Sequence, residues 1–278
     1  MTYVLPKTLA EALEISAGQE MTVLAGGTDV FPAATSLGMP DNIMDISAIN
    51  DLRGISDTDD HYRFGALTTW SDIANADLPA QFDCLKQAAL EVGSIQIQNA
   101  GTIAGNLCNA SPAADGVPPL LALNAQVELS SQDGVRVLPI QEFVLGNRRT
   151  ALQPGELVSA VLVPKDLSAA HSHFIKLGSR KYLVISITMV AVIVEVDDQS
   201  KITQARISVG ACSEVAMRIY ALEQALIGCA ASEVATLVKA DYFSCLSPIS
   251  DVRAKAEYRR NAAVELVTRA LAKCAETL

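Results

Sequence analysis

Apolar residues recur along this chain at two periods, and the order in which those periods alternate divides it into three units. In TLAEALEISA, Thr8 to Ala17, positions Leu9, Ala12, Leu13 and Ile15 fall near one face behind a Thr cap, which predicts a short amphipathic helix. MTVLA, Met21 to Ala25, is an apolar run of strand length, broken by Gly26 and Gly27. Thr28 or Asp29 can cap a second helix. FPAATSLG, Phe31 to Gly38, predicts that helix, with Pro in its first turn and Gly at its end. NIMDIS from Asn42 is the next strand, so 1–50 is predicted to be a small α/β lobe.

The second unit, 51–165, opens with the strand-like runs LRGIS and HYRFGAL around the polar turn Asp57 to Asp60. Helices are predicted over Thr69 to Ala76 and Phe82 to Val92. QNAGTIAGNLCNASPAADG, Gln98 to Gly116, then reads as a long loop of small and polar residues. PLLALNA is predicted helical, QVELSS and VRVLPI form a hairpin around Asp133 and Gly134, and ELVSAVLVP is a strand ending at Pro164. The polar KDLSAAHS beyond it marks a domain boundary. In the third unit, 170–278, FIKLGSRK precedes SITMVAVIVEV and ITQARISVGA, an antiparallel pair around the turn at Asp197 to Ser200. Three helices close the chain, the last over Arg253 to Thr277 with Ala263, Leu266, Val267, Ala270 and Cys274 at helical spacing. Strands before helices make this an α+β unit.

Composition narrows the function classes. The chain has 278 residues, half of them apolar, enough to bury a core. A net charge of −10 argues against nucleic acid and anionic membranes as partners. The longest apolar run, Ile187 to Val194, falls well short of the ~18 residues a bilayer span needs. The N-terminus reads as strand then helix rather than as a secretory signal, so a cytoplasmic protein is expected. The six cysteines, Cys84, Cys108, Cys212, Cys229, Cys245 and Cys274, lack a CxxC spacing, which argues against a metal or iron–sulfur cluster held by this chain. They are expected to be reduced and mostly buried.

Two glycine-containing segments carry the candidate chemistry. AGGTD, Ala25 to Asp29, lies between a strand and a helix, where free N–H groups and the helix dipole favour a phosphate; an ordinary strand-to-helix turn is the alternative. Neither GxGxxG nor GxxxxGK occurs, which removes the main support for a Rossmann or P-loop reading. TIAGN, Thr102 to Asn106, repeats the small-residue chemistry, with an Ω-like surface loop as its alternative. Asp115 is a cap, a solvated surface charge, a turn residue or a carboxylate for ligand hydroxyls. Lys176 reads either as a solvated edge-strand lysine or as a site residue, and Arg180 with Lys181 as a surface cluster. His171 and His173 share a strand face without a third metal ligand. The single Trp70 is expected in the core or at the surface.

AGGTDV at Ala25, QIQNAGTIAGNLCNASPAAD at Gln96, NRRTALQPGELV at Asn147, FIKLGSRK at Phe174 and DVRAKAEYRRNAAVELVTRAL at Asp251 together resemble the FAD-binding medium subunit of the molybdenum hydroxylases. That family includes the flavin subunits of bacterial xanthine and carbon monoxide dehydrogenases. The resemblance implies an α+β protein: a two-lobed FAD-binding domain of the vanillyl-alcohol oxidase and MurB type, joined to a C-terminal α+β domain with an antiparallel sheet and helices. It implies noncovalent FAD contacted by Leu24, Ala25, Gly26, Gly27, Thr28, Asp29, Val30, Thr102, Ile103, Ala104, Gly105, Asn106, Asp115, Leu157 and Lys176, with Lys176 beside the flavin. No general acid or base is implied, because the flavin carries the redox chemistry.

Also implied are an iron–sulfur small subunit bearing 2Fe–2S clusters and a large subunit bearing the molybdenum cofactor, both on other chains, with NAD+ or another acceptor receiving the electrons. A purine is the expected substrate, with carbon monoxide, aldehydes and N-heteroaromatics as the alternatives. A stand-alone flavin oxidase of the same fold and an FAD-less scaffold subunit are the alternatives. Two positions depart from the family pattern: Ala104 replaces the first glycine of Thr-Ile-Gly-Gly-Asn, and Lys-Tyr-Leu-Val comes after Arg180. If position 104 needs positive φ or no Cβ, FAD affinity is expected to fall.

Overall fold

In the computed structural model, which describes residues 2–167, 169–181 and 183–277, three sheets and one short ribbon carry the chain. The first sheet is parallel, in the order β1 (Thr2–Val4), β3 (Asn42–Asp45), β2 (Thr22–Leu24). Helix α1 (Leu9–Gly18) links β1 to β2, and Thr8 caps it by accepting from the Glu11 N–H. Helix α2 (Val30–Leu37) links β2 to β3 and stops at Gly38, whose φ of +80° suits glycine. The expected side-chain cap on α2 is not made. The Asp29 carboxylate turns instead to Arg148 of the second lobe, 3.1 Å away.

The second sheet is antiparallel, in the order β4 (Ile55–Asp57), β5 (His61–Gly65), β10 (Leu157–Pro164), β6 (Gln126–Ser131), β7 (Gly134–Pro139). Its central strand arrives last in sequence. Burial at seven successive positions explains why β10 reads as continuously apolar. Between β5 and β6 lie α3 (Trp70–Asn75), α4 (Asp83–Glu91), α5 (Ile95–Ala100), α6 (Ile103–Asn109) and α7 (Val117–Ala122). After β7 come α8 (Ile140–Phe143) and the ribbon β8 (Val144–Gly146) with β9 (Arg149–Thr150).

The polar stretch from Gln98 is therefore not one loop. Ser94 caps α5 by accepting from Ile97, and Thr102 caps α6 by accepting from Gly105, so two short helices use its small residues. LRGIS is likewise shorter as a strand than expected, because Asn50–Leu52 makes a 3-10 turn and β4 begins only at Ile55.

The third sheet runs β11 (His171–Leu177), β12 (Thr188–Val196), β13 (Ile202–Gly210), β14 (Met217–Arg218), antiparallel throughout. Helices α9 (Tyr220–Leu226), α10 (Val234–Leu237) and α11 (Ala256–Ala275) come after it. Along β12, Val190, Val192 and Val194 join the core under these helices, while Met189, Ala191 and Ile193 join the core shared with the first two lobes. Both faces of the strand are covered, which is why its sequence lacks the alternation of a half-exposed strand. Cys84, Cys212 and Cys274 are buried, but Cys108 and Cys245 are exposed, so fewer thiols are hidden than expected. Among the described residues, no helix is long and apolar enough to cross a membrane.

Candidate functional site

A solvent-open cleft of about 330 Å³ separates the first lobe from the second, a volume at the lower end of ligand sites. Residues 25–30 form one wall; α5, α6 and the segment from Leu152 to Val158 form the other, with the buried Trp70 at the floor. Gly26 exists for the fit between these walls: a Cβ there would sit 1.8 Å from the Ala100 carbonyl oxygen. Gly27 has φ +68°, and its Cβ would strike the Phe31 ring. Between them the two glycines bend the chain so that the N–H groups of Gly26, Gly27, Thr28 and Asp29 donate to no protein acceptor among the described residues. A row of free N–H groups running into a helix start is an anion cradle.

The second glycine-containing segment works differently. Ile103 N–H donates to the Thr68 carbonyl at 2.9 Å, Ala104 N–H to Ala66 at 3.4 Å, and Gly105 N–H to the Thr102 hydroxyl at 3.1 Å. These donors of α6 are spent on the protein, so α6 supplies wall surface rather than an anion site. Ala104 lies in the first turn of this helix and is not among the positive-φ residues, which removes the backbone reason for glycine at that position. Asn106 is different again: its side-chain oxygen is buried without a hydrogen-bond partner. Buried acceptors are ordinarily paired, and this one belongs to a residue that lines the cleft.

Of the expected site residues, Ala25, Gly26, Gly27, Thr28, Asp29, Val30, Thr102, Ala104, Gly105, Asn106 and Leu157 line the cleft. Leu24 and Ile103 are buried and do not line it. Asp115 and Lys176 also stand behind the wall. Lys176 is no solvated edge lysine: its side chain is 4% exposed, and Nζ donates to Asp115 at 2.6 Å and to the Glu91 carbonyl at 3.1 Å. Ser186 donates to the other Asp115 oxygen at 2.6 Å. Burial pushes the Asp115 carboxyl above its ordinary range, while the Lys176 charge and the two hydrogen bonds pull it back.

Sequence reasoning missed Trp70, Ile97 and Glu156 as lining residues. Trp70 is 1% exposed yet forms part of the cleft floor, and Gly116 is small because a Cβ there would lie 2.3 Å from the indole and 2.9 Å from the Asn106 oxygen. A lone Trp has no periodic partner to reveal it. Glu156 precedes Leu157, and Arg136 holds its carboxyl below the usual range through hydrogen bonds of 2.5 and 2.8 Å.

Two families of known sequences match the chain. The FAD binding domain in molybdopterin dehydrogenase covers residues 1–166, and the CO dehydrogenase flavoprotein C-terminal domain covers residues 173–274. The nicotinate dehydrogenase FAD-subunit of Eubacterium barkeri is 34% identical over 231 residues, spanning 80% of this chain and 78% of that protein. The carbon monoxide dehydrogenase medium chain of Afipia carboxidovorans is 29% identical over 274 residues, spanning 96% and 93%. The crystal structure of a Cu,Mo-CO dehydrogenase in its cyanide-inactivated form superposes with a TM-score of 0.91 at 26% identity, covering 100% of this chain and 98% of that one. Motif order, two-lobed cleft and end-to-end similarity converge, and the chain belongs to the FAD-binding medium subunits of the molybdenum hydroxylases, a family of oxidoreductases.

Proposed function

We propose that this chain holds FAD noncovalently in the cleft and relays electrons within a molybdenum hydroxylase complex. When bound, FAD supplies the redox chemistry, between 2Fe–2S clusters on a small subunit, fed by a molybdenum cofactor on a molybdopterin-binding large subunit, and NAD+ or another acceptor. The observation that carries this reading is the row of unused N–H donors from Gly26 to Asp29 opposite the orphaned Asn106 oxygen. The donors suit a pyrophosphate, and Thr28 adds a hydroxyl to them. Asn106 accepts from a ligand donor, while Leu157, Val30 and Ala104 exclude water from apolar ligand surface. Leu24 and Ile103 back these walls rather than touch the ligand.

On this reading the lobes over 1–50 and 51–165 clasp the cofactor, and the unit over 170–278 brings Lys176 behind it. Paired with Asp115, that lysine presents a largely cancelled charge, so it tunes the cofactor less than an isolated ammonium would. No side chain in the cleft is assigned a proton-transfer role. Substrate choice belongs to another chain: relatives named for nicotinate, caffeine and carbon monoxide all match this one at 28–34% identity. The Escherichia coli putative xanthine dehydrogenase subunit, at 31% identity, does not stand apart from them, so purine use is open to a substrate panel.

Purification with partner chains is the test. The complex should be yellow, release flavin on acid denaturation and carry iron and molybdenum on other polypeptides. A colourless protein that cannot be reconstituted with FAD would favour the scaffold alternative, and turnover by the isolated chain would favour the stand-alone oxidase.

A further inference from the structure

The C-terminal motif DVRAKAEYRR lies far along the chain from the cleft, and electron relay through FAD leaves it without a task. Its Arg259, in α11, is 3% exposed and carries a guanidinium into the protein. The Arg259 Nη2 donates to Asp251 at 2.8 Å, and Nη1 donates to the carbonyls of Ile187 and of Ala211, the latter at 3.1 Å. Asp251 stays ionised because the Arg253 and Ala254 N–H groups and both arginines hold its carboxyl far below the usual range. The Arg259 Nε has no hydrogen-bond partner among the described residues. A buried cation kept with one donor unused is expensive, so its placement answers some other need.

The two carbonyls it grips identify that need. Ile187 pairs its N–H with Leu177 at 2.8 Å, which sets Ser186 and Lys176 side by side, and both reach Asp115. Ala211, at φ +60°, donates its N–H to Pro112 at 3.0 Å. One guanidinium thus fastens the ends of β12 and β13, and those two ends hold residues 112 and 115 of the second lobe. The next residue, Gly116, packs on Trp70 and Asn106 at the cleft floor.

We infer that Arg259, anchored by Asp251, is a remote positioning residue that sets the floor of the cleft through Ile187, Ala211 and the segment from Pro112 to Gly116. Its consequence for FAD rests on the proposed flavin-binding role, but its consequence for the floor does not. Trp70 is the only tryptophan in the chain, so its fluorescence reports the floor directly in FAD-free protein.

The test compares Arg259→Met, Arg259→Lys, Asp251→Asn and, as a control for lost stability, Val267→Ala in the buried face of the same helix. In the full chain, Arg259→Met is expected to red-shift Trp70 emission, raise its quenching by acrylamide and weaken FAD retention about tenfold. Arg259→Lys should recover part of each change, since it restores a charged donor group without the two-armed fork of the guanidinium. Val267→Ala should lower Tm while leaving Trp70 emission and FAD retention as they were. Wild-type Trp70 emission and FAD retention in Arg259→Met overturn the inference, and so does Val267→Ala if it reproduces both changes. Should Arg259→Met not fold, Asp251→Asn is read against the same two outcomes. If the unaltered chain binds no FAD yet Arg259→Met shifts Trp70, the positioning role stands and the flavin reading falls.

Discussion

Gly26 and Ala104 border the same cleft under opposite constraints. No side chain fits at Gly26, where the Ala100 carbonyl occupies the space a Cβ needs, whereas Ala104 sits in a helical turn that favours alanine. Ala104→Gly should therefore lower stability by about 0.5–1 kcal/mol in urea unfolding without raising FAD affinity. A gain in FAD affinity would show that the methyl group intrudes on the ligand.

Lys176→Met strands Asp115 in the interior, at a cost of about 3–5 kcal/mol near pH 7. The Asp115 carboxyl, already raised by burial, rises further once the lysine's opposing pull is gone. A carboxyl raised on folding favours the folded state when protonated, so the penalty holds above its folded value and fades as pH falls toward the unfolded value near ~3.9. Stability curves should show the gap from wild type closing from pH 7 toward pH 4, and a constant gap would mean that Asp115 does not carry the cost. Asp115 and Lys176 were each visible in the sequence as candidates. Their pairing was not, because it joins residues 61 apart through a contact that only the third sheet creates.

Elements with a strong period were legible and those built on caps were less so. The parallel first lobe, the hairpin of β6 and β7 and the pairing of β12 with β13 arise from runs of strand residues and turn chemistry. Helices α5 and α6 escaped because Gly101, Gly105, Asn106 and Asn109 break any apolar stripe, leaving Ser94 and Thr102 as the signals of two helix starts. The capping role is testable. Thr102→Ala should cost about 1–2 kcal/mol by removing the acceptor of the Gly105 N–H, while Thr102→Ser retains most of the stability. Equal unfolding midpoints for the two variants would show that the hydroxyl does nothing for α6.

At the scale of the molecule, the cleft depends on two lobes meeting with the right charge at its mouth. Asp29 puts a carboxylate next to the free N–H groups of the anion cradle, in a chain of net charge −10, and this opposes the ligand charge proposed for that place. Arg148 crosses from the second lobe to cover it, with N–O contacts of 3.1 and 3.4 Å, although both side chains are about half exposed. An exposed pair of this kind adds little to stability, so Arg148→Ala should shift Tm hardly at all. Its effect should fall on binding: with the carboxylate uncovered, FAD affinity drops at low ionic strength, and Asp29→Asn restores it in the double variant. Because the interaction is exposed, salt near 0.5 M should erase most of the difference between Arg148→Ala and wild type, the Debye length then being shorter than ~5 Å. FAD titrations at two ionic strengths measure this directly. A loss of affinity that persists in high salt would place Arg148 in contact with the ligand itself rather than with the charge beside it.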